Sequence, residues 1–151
     1  MNQFRKFLAL GLSVLMIFGA TVSVSAKRFD DVANDNSFAE QIDLLSEIGI
    51  IVGTSENEFS PDIKVTREQM ALMLCNYARI KGADMSVGEN TNILSYEDAF
   101  SISEWAMSAL QWACGEGVMS GKTGGYLDPT GVTTRAEAAQ MLMKFCGVLA
   151  D

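Results

Sequence analysis

Two arginines, Arg67 and Arg135, occupy equivalent positions and are the side chains best suited to binding an anionic group. Each follows a threonine and precedes a glutamine or glutamate by two residues, in segments 66–69 and 134–137. This Thr-x-x-Gln/Glu spacing predicts a capping box at the start of a helix, in which the two side chains bond each other's backbone amides. The box does not explain the arginine, because a cation in the first helical turn opposes the helix dipole.

The repeated arginine therefore predicts a target of its own for each guanidinium group. Arginine binds a carboxylate through a planar fork of donors, and the adjacent helix N-terminus offers amides to the same anion. The target can be a carboxylate on a ligand or an intramolecular one such as Asp31 or Asp98. The two interpretations are compatible, because an aspartate can orient an arginine that also binds a ligand.

The chain contains few residues suited to catalysis or metal binding. It contains no histidine and no Cys-x-x-Cys pair, which excludes zinc sites and histidine-based triads. Glycoside hydrolysis needs two carboxylates that face a cleft, and no acidic residue here occurs in a pattern beyond that of a solvated helix face. We therefore predict that the chain is not an enzyme and needs no metal or cofactor.

The elements that must position the arginines repeat along the chain. The repeat has a spacing of 68 residues and relates Gly49, Gly53, Phe59, Pro61, Thr66 and Arg67 to Gly117, Gly121, Leu127, Pro129, Thr134 and Arg135. Upstream, Phe29-Asp30-Asp31-Val32 pairs with Tyr96-Glu97-Asp98-Ala99 at a spacing of 67. Such self-similarity makes each copy one supersecondary unit.

Each copy has the pattern of a helix, a loop and a second helix. In copy one the first helix is predicted from about Ser37 to Ile48, and a glycine then ends it. The predicted apolar faces of the first helices consist of Phe38, Ile42, Leu45 and Ile48, and of Trp105, Ala109, Trp112 and Ala113. Residues 82–95 are polar, contain two glycines and predict a linker. The predicted fold is all-α, with tandem helix–loop–helix repeats packed as a small helical bundle.

The first 26 residues have the pattern of an export signal. Arg5 and Lys6 precede an apolar run from Phe7 to Ala20, and residues 24–26 form a small-residue cleavage site. The run is shorter than the roughly 20 residues of a membrane-spanning helix, so we predict a secreted protein without a membrane segment after cleavage. Cleavage leaves nine basic against nineteen acidic residues and changes the net charge from −8 to −10. Without a basic patch, nucleic acid is not an expected partner.

Three cysteines, Cys75, Cys114 and Cys146, remain after cleavage. An odd number in an exported protein leaves at least one thiol free or paired between chains. Each cysteine stands in an apolar helical context, which favours small buried hydrophobic side chains over reactive thiols.

In these motifs the chain resembles the S-layer homology (SLH) family. SLH repeats begin with aromatic-x-Asp-Val, open the first helix with Trp-Ala, and continue through Gly-(Ile/Val)-x-x-Gly and Phe-x-Pro to Thr-Arg-Ala-Glu. Copy two carries these elements as 96–98, Trp105-Ala106, 117–121, 127–129 and 134–137; copy one carries them as 29–32, 49–53, 59–61 and 66–69. Copy one departs from the family with Ser37 at the tryptophan position, and copy two with Leu127 for phenylalanine.

Beside the predicted signal peptide (1–26) and linker (82–95), the resemblance implies SLH repeat 1 (27–81) and SLH repeat 2 (96–151). It also implies a cell-wall or S-layer location at the cell surface and non-covalent binding of cell-wall secondary polysaccharide, often pyruvylated. The residues expected to bind this ligand are Arg67, Arg135, Asp31, Asp98, Trp105, Gly53 and Gly121. The family commonly has three repeats. Two copies can close on each other with adapted contacts, but self-association or pairing with another SLH protein is favoured. The alternative function is self-assembly or protein docking at the cell surface without sugar binding.

Overall fold

The computed structural model describes residues 29–150 as four α-helices and four short 3-10 turns. The helices are α1 (Ala39–Glu47), α2 (Arg67–Ile80), α3 (Met107–Gly115) and α4 (Arg135–Val148). The 3-10 turns, at Ser86–Asn90, Ile93–Ser95, Ala99–Ser101 and Glu104–Ala106, all lie between α2 and α3. The only β-pairing in this part of the chain is an isolated bridge between Thr66 and Val132. The all-α prediction is therefore confirmed, and the predicted signal peptide lies outside the described residues.

Both second helices begin as predicted, with complete capping boxes. The hydroxyl of Thr66 accepts from the Gln69 amide, and the Gln69 side chain accepts from the Thr66 amide at 2.9 Å. Thr134 and Glu137 repeat the arrangement at the start of α4, where the Thr134 amide donates to Glu137 at 2.8 Å. The two capping boxes place Arg67 and Arg135 at the first position of their helices.

The first helices follow the prediction less closely. α1 has no side-chain cap, and of its predicted apolar face only Ile42 is buried, while Phe38 and Ile48 are 66% and 46% exposed. In copy two, Trp105 belongs to a 3-10 turn and is half-exposed, whereas Ala109, Trp112 and Ala113 are buried. The glycines that follow these helices, Gly49 and Gly117, have φ of +79° and +69°, the left-handed conformation expected of a helix-ending glycine.

The main core joins the two repeats. It brings together buried apolar side chains of α2, α3 and α4, among them Ala71, Leu74, Trp112, Met141 and Phe145. A second and smaller cluster lies wholly within repeat 1 and consists of Phe29, Val32, Ile42, Ile50 and Ile51. Repeat 1 therefore divides its apolar side chains between a shared core and one of its own.

The segment predicted as a linker is an ordered part of this fold. Ile93 is 1% exposed and belongs to the main core. The indole nitrogen of Trp112 donates to the Asp84 carbonyl at 3.2 Å, and Gly88 lies against the backbone of α3 at Trp112. Ala83, Met85 and Val87 also pack against the main core, and the prediction missed this packing because these few apolar side chains follow no periodic pattern.

The cysteines differ in burial. Cys75 is buried and Cys114 is half-buried, in agreement with the predicted role of a small apolar side chain, but Cys146 is exposed on α4. Burial raises the pKa of the Cys75 and Cys114 thiols. None of the helices within residues 29–150 is long and apolar enough to span a membrane.

Candidate functional site

Two equivalent loops, one in each repeat, form the framework of the candidate site. The carboxylate of Asp31 accepts from the amides of Phe59 and Ser60 at 2.8 and 2.6 Å. Asp98 makes the same pair of bonds to Leu127 and Asp128, at 2.8 and 2.7 Å. The bonds from the Phe59 and Ser60 amides lower the pKa of Asp31, and the Phe59 amide is the largest cause. The two aspartates thus hold loops whose residues Ser60 and Asp128 have the uncommon φ of +59° and +56°.

The structure does not place either aspartate against an arginine. Both carboxylates are bonded to loop amides, so the expectation that Asp31 and Asp98 orient the arginines is not met within the described residues. The geometric reason is that the aromatic-x-Asp segment lies beside the Phe-x-Pro loop of the same repeat, while Arg67 extends into the other repeat.

Gly53 and Gly121 lie in these loops against an aromatic ring. A side-chain carbon at Gly53 would collide with the ring of Phe29 and the carbonyl of Glu58, and one at Gly121 would collide with the ring of Tyr96. The hydroxyl of Tyr96 also accepts from the Gly121 amide at 3.2 Å. Ring packing within each repeat therefore accounts for both glycines, and their predicted contact with a sugar stays a prediction.

Arg67 crosses from repeat 1 into repeat 2 and is only 3% exposed. Its Nε donates to the Leu127 carbonyl at 2.9 Å and its Nη2 to the Ser120 carbonyl at 2.7 Å. Its Nη1 lies 3.3 Å from Oε1 of Glu137. The intramolecular alternative for this arginine is therefore the one observed, with Glu137 and two carbonyls as the partners. We call this contact the filled junction.

Charged groups surround the filled junction on its outer side. The ammonium of Lys122 lies 2.6 Å from Asp128 and 3.3 Å from Glu137. The pKa of Glu137 is lowered to about 2, mainly because its carboxylate accepts from the backbone amide and hydroxyl of Thr134. Hydrogen bonding to Asp128 raises the pKa of Lys122. Sequence reasoning missed Lys122, since the repeat places Thr54 at the equivalent position.

Repeat 1 has an open cleft at the equivalent place. Its volume is about 600 Å³, and Trp105 of repeat 2 forms one of its walls. The remaining lining residues come from the loops and α2 of repeat 1: Ile50, Val52, Gly53, Thr54, Phe59, Ser60, Pro61, Ile63, Lys64, Val65, Gln69, Leu72, Met73 and Asn76. Trp105 is 50% exposed, so its indole ring is available to a ligand. We call this feature the open cleft.

Lys64 is the only charged side chain among the described residues that line the open cleft. It is exposed and makes no ion pair within residues 29–150. A single cation in a cleft with an aromatic wall suits a sugar that carries a carboxylate, because indole packs on sugar rings and ammonium attracts the anion. Sequence reasoning missed Lys64 because it has no counterpart in copy two, where Val132 takes the position.

Arg135 lies outside the open cleft, on the surface at the start of α4. It is exposed, and its side chain has neither a hydrogen bond nor an ion pair within the described part of the chain. Of the seven predicted ligand residues, the structure thus gathers Arg67, Asp98 and Gly121 around the filled junction. Asp31, Gly53 and Trp105 lie at or beside the open cleft. Arg135 joins neither group.

Comparisons with known proteins agree with the repeat pattern. The profile of the S-layer homology domain matches residues 28–71 and 95–139. The chain is 31% identical over 130 residues to an endoglucanase of Bacillus sp. (strain KSM-635), covering 86% of this chain and 14% of that protein. It is 32% identical over 122 residues to the exoglucanase XynX of Acetivibrio thermocellus, covering 76% and 10%. It is 30% identical over 116 residues to the surface-layer 125 kDa protein of Lysinibacillus sphaericus, covering 74% and 9%.

The chain spans about a tenth of the length of these curated relatives. What they share with it is the repeated helical region rather than the remainder of each protein. Two of the relatives are named as enzymes and one as a surface-layer protein, so the shared region accompanies different activities.

Proposed function

The chain belongs to the S-layer homology domain family, a family of cell-surface modules, and on that premise we propose that it anchors to the cell wall by binding an acidic secondary polysaccharide in the open cleft. The observation that carries the proposal is the pairing of the half-exposed Trp105 with the unpaired cation Lys64 in one cleft. A pyruvylated sugar has both features that such a cleft recognises, a ring face and a carboxylate.

The electrostatics of the protein favour this site over the filled junction. The net charge of the chain is −8, so an anionic ligand needs a local cation to overcome the overall repulsion. At the filled junction the two cations are already neutralised, because Arg67 and Lys122 contact Glu137 and Asp128. Lys64 has no such partner in the described structure, so its charge is available to a ligand.

The polar rim of the cleft adds hydrogen-bonding groups for sugar hydroxyls. The hydroxyls of Thr54 and Ser60 lie 2.7 Å apart. Both residues line the cleft, together with Gln69 and its side-chain amide. Neutral polar groups around an aromatic wall fix the orientation of a ligand without adding charge. We propose that this rim binds the sugar and that Lys64 binds its carboxylate.

The test is co-sedimentation of the mature protein with purified cell walls. We expect Trp105→Ala and Lys64→Gln each to reduce the bound fraction at least tenfold at low salt, since each removes one of the two main contacts. Tyr126→Ala and Lys81→Gln are the matched controls. Tyr126 is also 50% exposed and Lys81 is an exposed lysine, but neither lines the open cleft.

Walls from which the secondary polymer has been chemically removed separate polymer binding from other adhesion. The wild-type protein should not sediment with these walls. Undiminished sedimentation of the Trp105→Ala, Lys64→Gln double variant with intact walls would contradict the proposed site. Binding to stripped and intact walls alike would contradict the proposed ligand.

A further inference from the structure

At the filled junction, the start of α2 in repeat 1 bonds to repeat 2 through its backbone as well as through the arginine side chain. Besides the side-chain bonds of Arg67, its amide donates to the Gly131 carbonyl at 2.9 Å, and the amide of Glu68 donates to the Pro129 carbonyl at 2.9 Å. Thr133 donates to the Val65 carbonyl at 3.0 Å. The start of α2 therefore fits against a row of carbonyls in repeat 2.

Repeat 1 carries the same row of carbonyls without a helix start in it. At the 68-residue spacing, the carbonyls of Ser120, Leu127, Pro129 and Gly131 correspond to those of Val52, Phe59, Pro61 and Ile63, and Glu137 corresponds to Gln69. All five of these repeat 1 residues line the open cleft. The open cleft is thus the same receptor, lacking its neighbour.

Burial of equivalent residues supports this comparison. Leu127 and Pro129 are fully buried at the filled junction, whereas Phe59 and Pro61 are only half-buried. Around the open cleft, Val52 and Ile63 are 57% and 66% exposed. Exposed apolar side chains beside a row of carbonyls are typical of an interface that lacks its partner.

Within residues 29–150 the structure also contains a helix start without a receptor. Arg135 begins α4 as Arg67 begins α2, behind the same capping box, yet Arg135 is exposed and unpaired within residues 29–150. A receptor without a helix start and a helix start without a receptor therefore occur in one chain. The 68-residue repeat relates each of them to one half of the filled junction.

We infer that the open cleft is a docking site for the α4 start of a second copy of this chain, with Arg135 of that copy donating to the carbonyls of Val52 and Phe59. The occupant is a second copy because the receptor and the helix start match the two halves of the filled junction. This inference does not depend on polysaccharide binding.

Two differences from the filled junction make the intermolecular contact weaker and reversible. Gln69 replaces Glu137, so Arg135 meets no carboxylate in the receptor. Ala136 replaces Glu68, whose carboxylate accepts from the amide and hydroxyl of Ser103 at 3.1 and 2.9 Å. The contact is therefore expected to appear with rising protein concentration rather than as a permanent dimer.

The docked helix start and a sugar would share part of the open cleft. At the filled junction, Thr66 pairs with Val132 and the side chain of Arg67 contacts Glu137. Val132 and Glu137 correspond to Lys64 and Gln69, which also belong to the proposed sugar site. The two occupants therefore exclude each other there, and association is measured without polysaccharide.

The test is sedimentation velocity of the mature protein without polysaccharide, from about 10 µM to about 1 mM. Arg135→Ala removes the helix-start side chain, and Thr54→Lys places a cation beside the receptor. Lys122, at the equivalent position, lies 3.3 Å from Glu137, but next to Gln69 a lysine at position 54 has no carboxylate and repels the arriving guanidinium. Thr54→Gln is the uncharged control, and circular dichroism checks that each variant is folded.

We expect the wild type and Thr54→Gln to associate with concentration, and Arg135→Ala and Thr54→Lys each to remain monomeric alone. An equimolar mixture of these two monomeric variants retains one intact receptor and one intact Arg135, so it should form a one-to-one complex. Gln69→Glu, which restores the carboxylate of the filled junction, should tighten association about fivefold. Association of Arg135→Ala equal to wild type, or a monomeric wild type and Gln69→Glu at about 1 mM, would overturn the inference.

Discussion

Arg67 and Arg135 share a sequence context but differ in environment, and this difference predicts unequal effects on stability. Arg67→Ala leaves the carbonyls of Leu127 and Ser120 and the carboxylate of Glu137 without their buried partner. We expect the free energy of unfolding to fall by about 3 kcal/mol, because breaking a buried charged contact strands its acceptors. Urea denaturation of the two single variants measures the difference.

Arg135→Ala is the matched control for this prediction. Its side chain is exposed and makes no bond within the described residues, so a change within about 0.5 kcal/mol is expected at low protein concentration. Equal losses for the two variants would show that the burial of Arg67 contributes little. Low concentration matters here, since association would otherwise add to the apparent stability of the wild type.

The residues also show how far sequence reasoning reaches. The capping boxes of residues 66–69 and 134–137 depend only on local spacing, and both were predicted correctly. The partners of Arg67 depend on how two repeats pack, and a repeat pattern gives equivalence between residues rather than their contacts. Lys64 and Lys122 were missed because each occurs in one copy only, so the repeat pattern does not single them out.

At the scale of elements, the start of α4 contains an acid-sensitive carboxyl group, that of Glu137. The pKa of Glu137 is lowered from 4.5 to about 2, first by the Thr134 amide and then by its hydroxyl. A carboxyl group with a lower pKa in the folded state stabilises the fold fully above its unfolded pKa and loses that contribution as the pH falls from about 4.5 toward 2.

Glu137→Gln should therefore keep the helix but flatten the acid limb of the stability curve. Glutamine occupies this position in the capping box of α2, where Gln69 accepts from the Thr66 amide. Unfolding in urea at pH 7, 4 and 2.5 measures the effect: the variant should be less stable than wild type at pH 7, and the difference should shrink toward pH 2.5. A difference independent of pH would contradict the assigned role of Glu137.

The fold itself was predictable at the level of elements that carry strong local signals. The second helices, the glycines after the first helices and the all-α class follow from capping, φ preference and periodicity. The ordered packing of residues 82–95 was not predictable, because Ile93 and Gly88 contribute through tertiary contacts that have no periodic pattern. The same limit applies to Phe38 and Ile48, which have the right spacing for a buried face but lie exposed at the two caps of the short helix α1.

For the whole molecule, the core that the two repeats share predicts a single, common unfolding transition. The main core includes Cys75 from repeat 1 and Trp112 from repeat 2, so the two repeats should unfold together around it. Both tryptophans belong to repeat 2, and their fluorescence therefore reports on that repeat, while alkylation of the buried Cys75 reports on repeat 1. We expect the two midpoints in urea to coincide, with Cys114→Ser and Cys146→Ser substitutions leaving Cys75 as the single thiol. Labelling of Cys75 at a clearly lower urea concentration would show instead that repeat 1 opens alone and that the shared core does not couple the repeats.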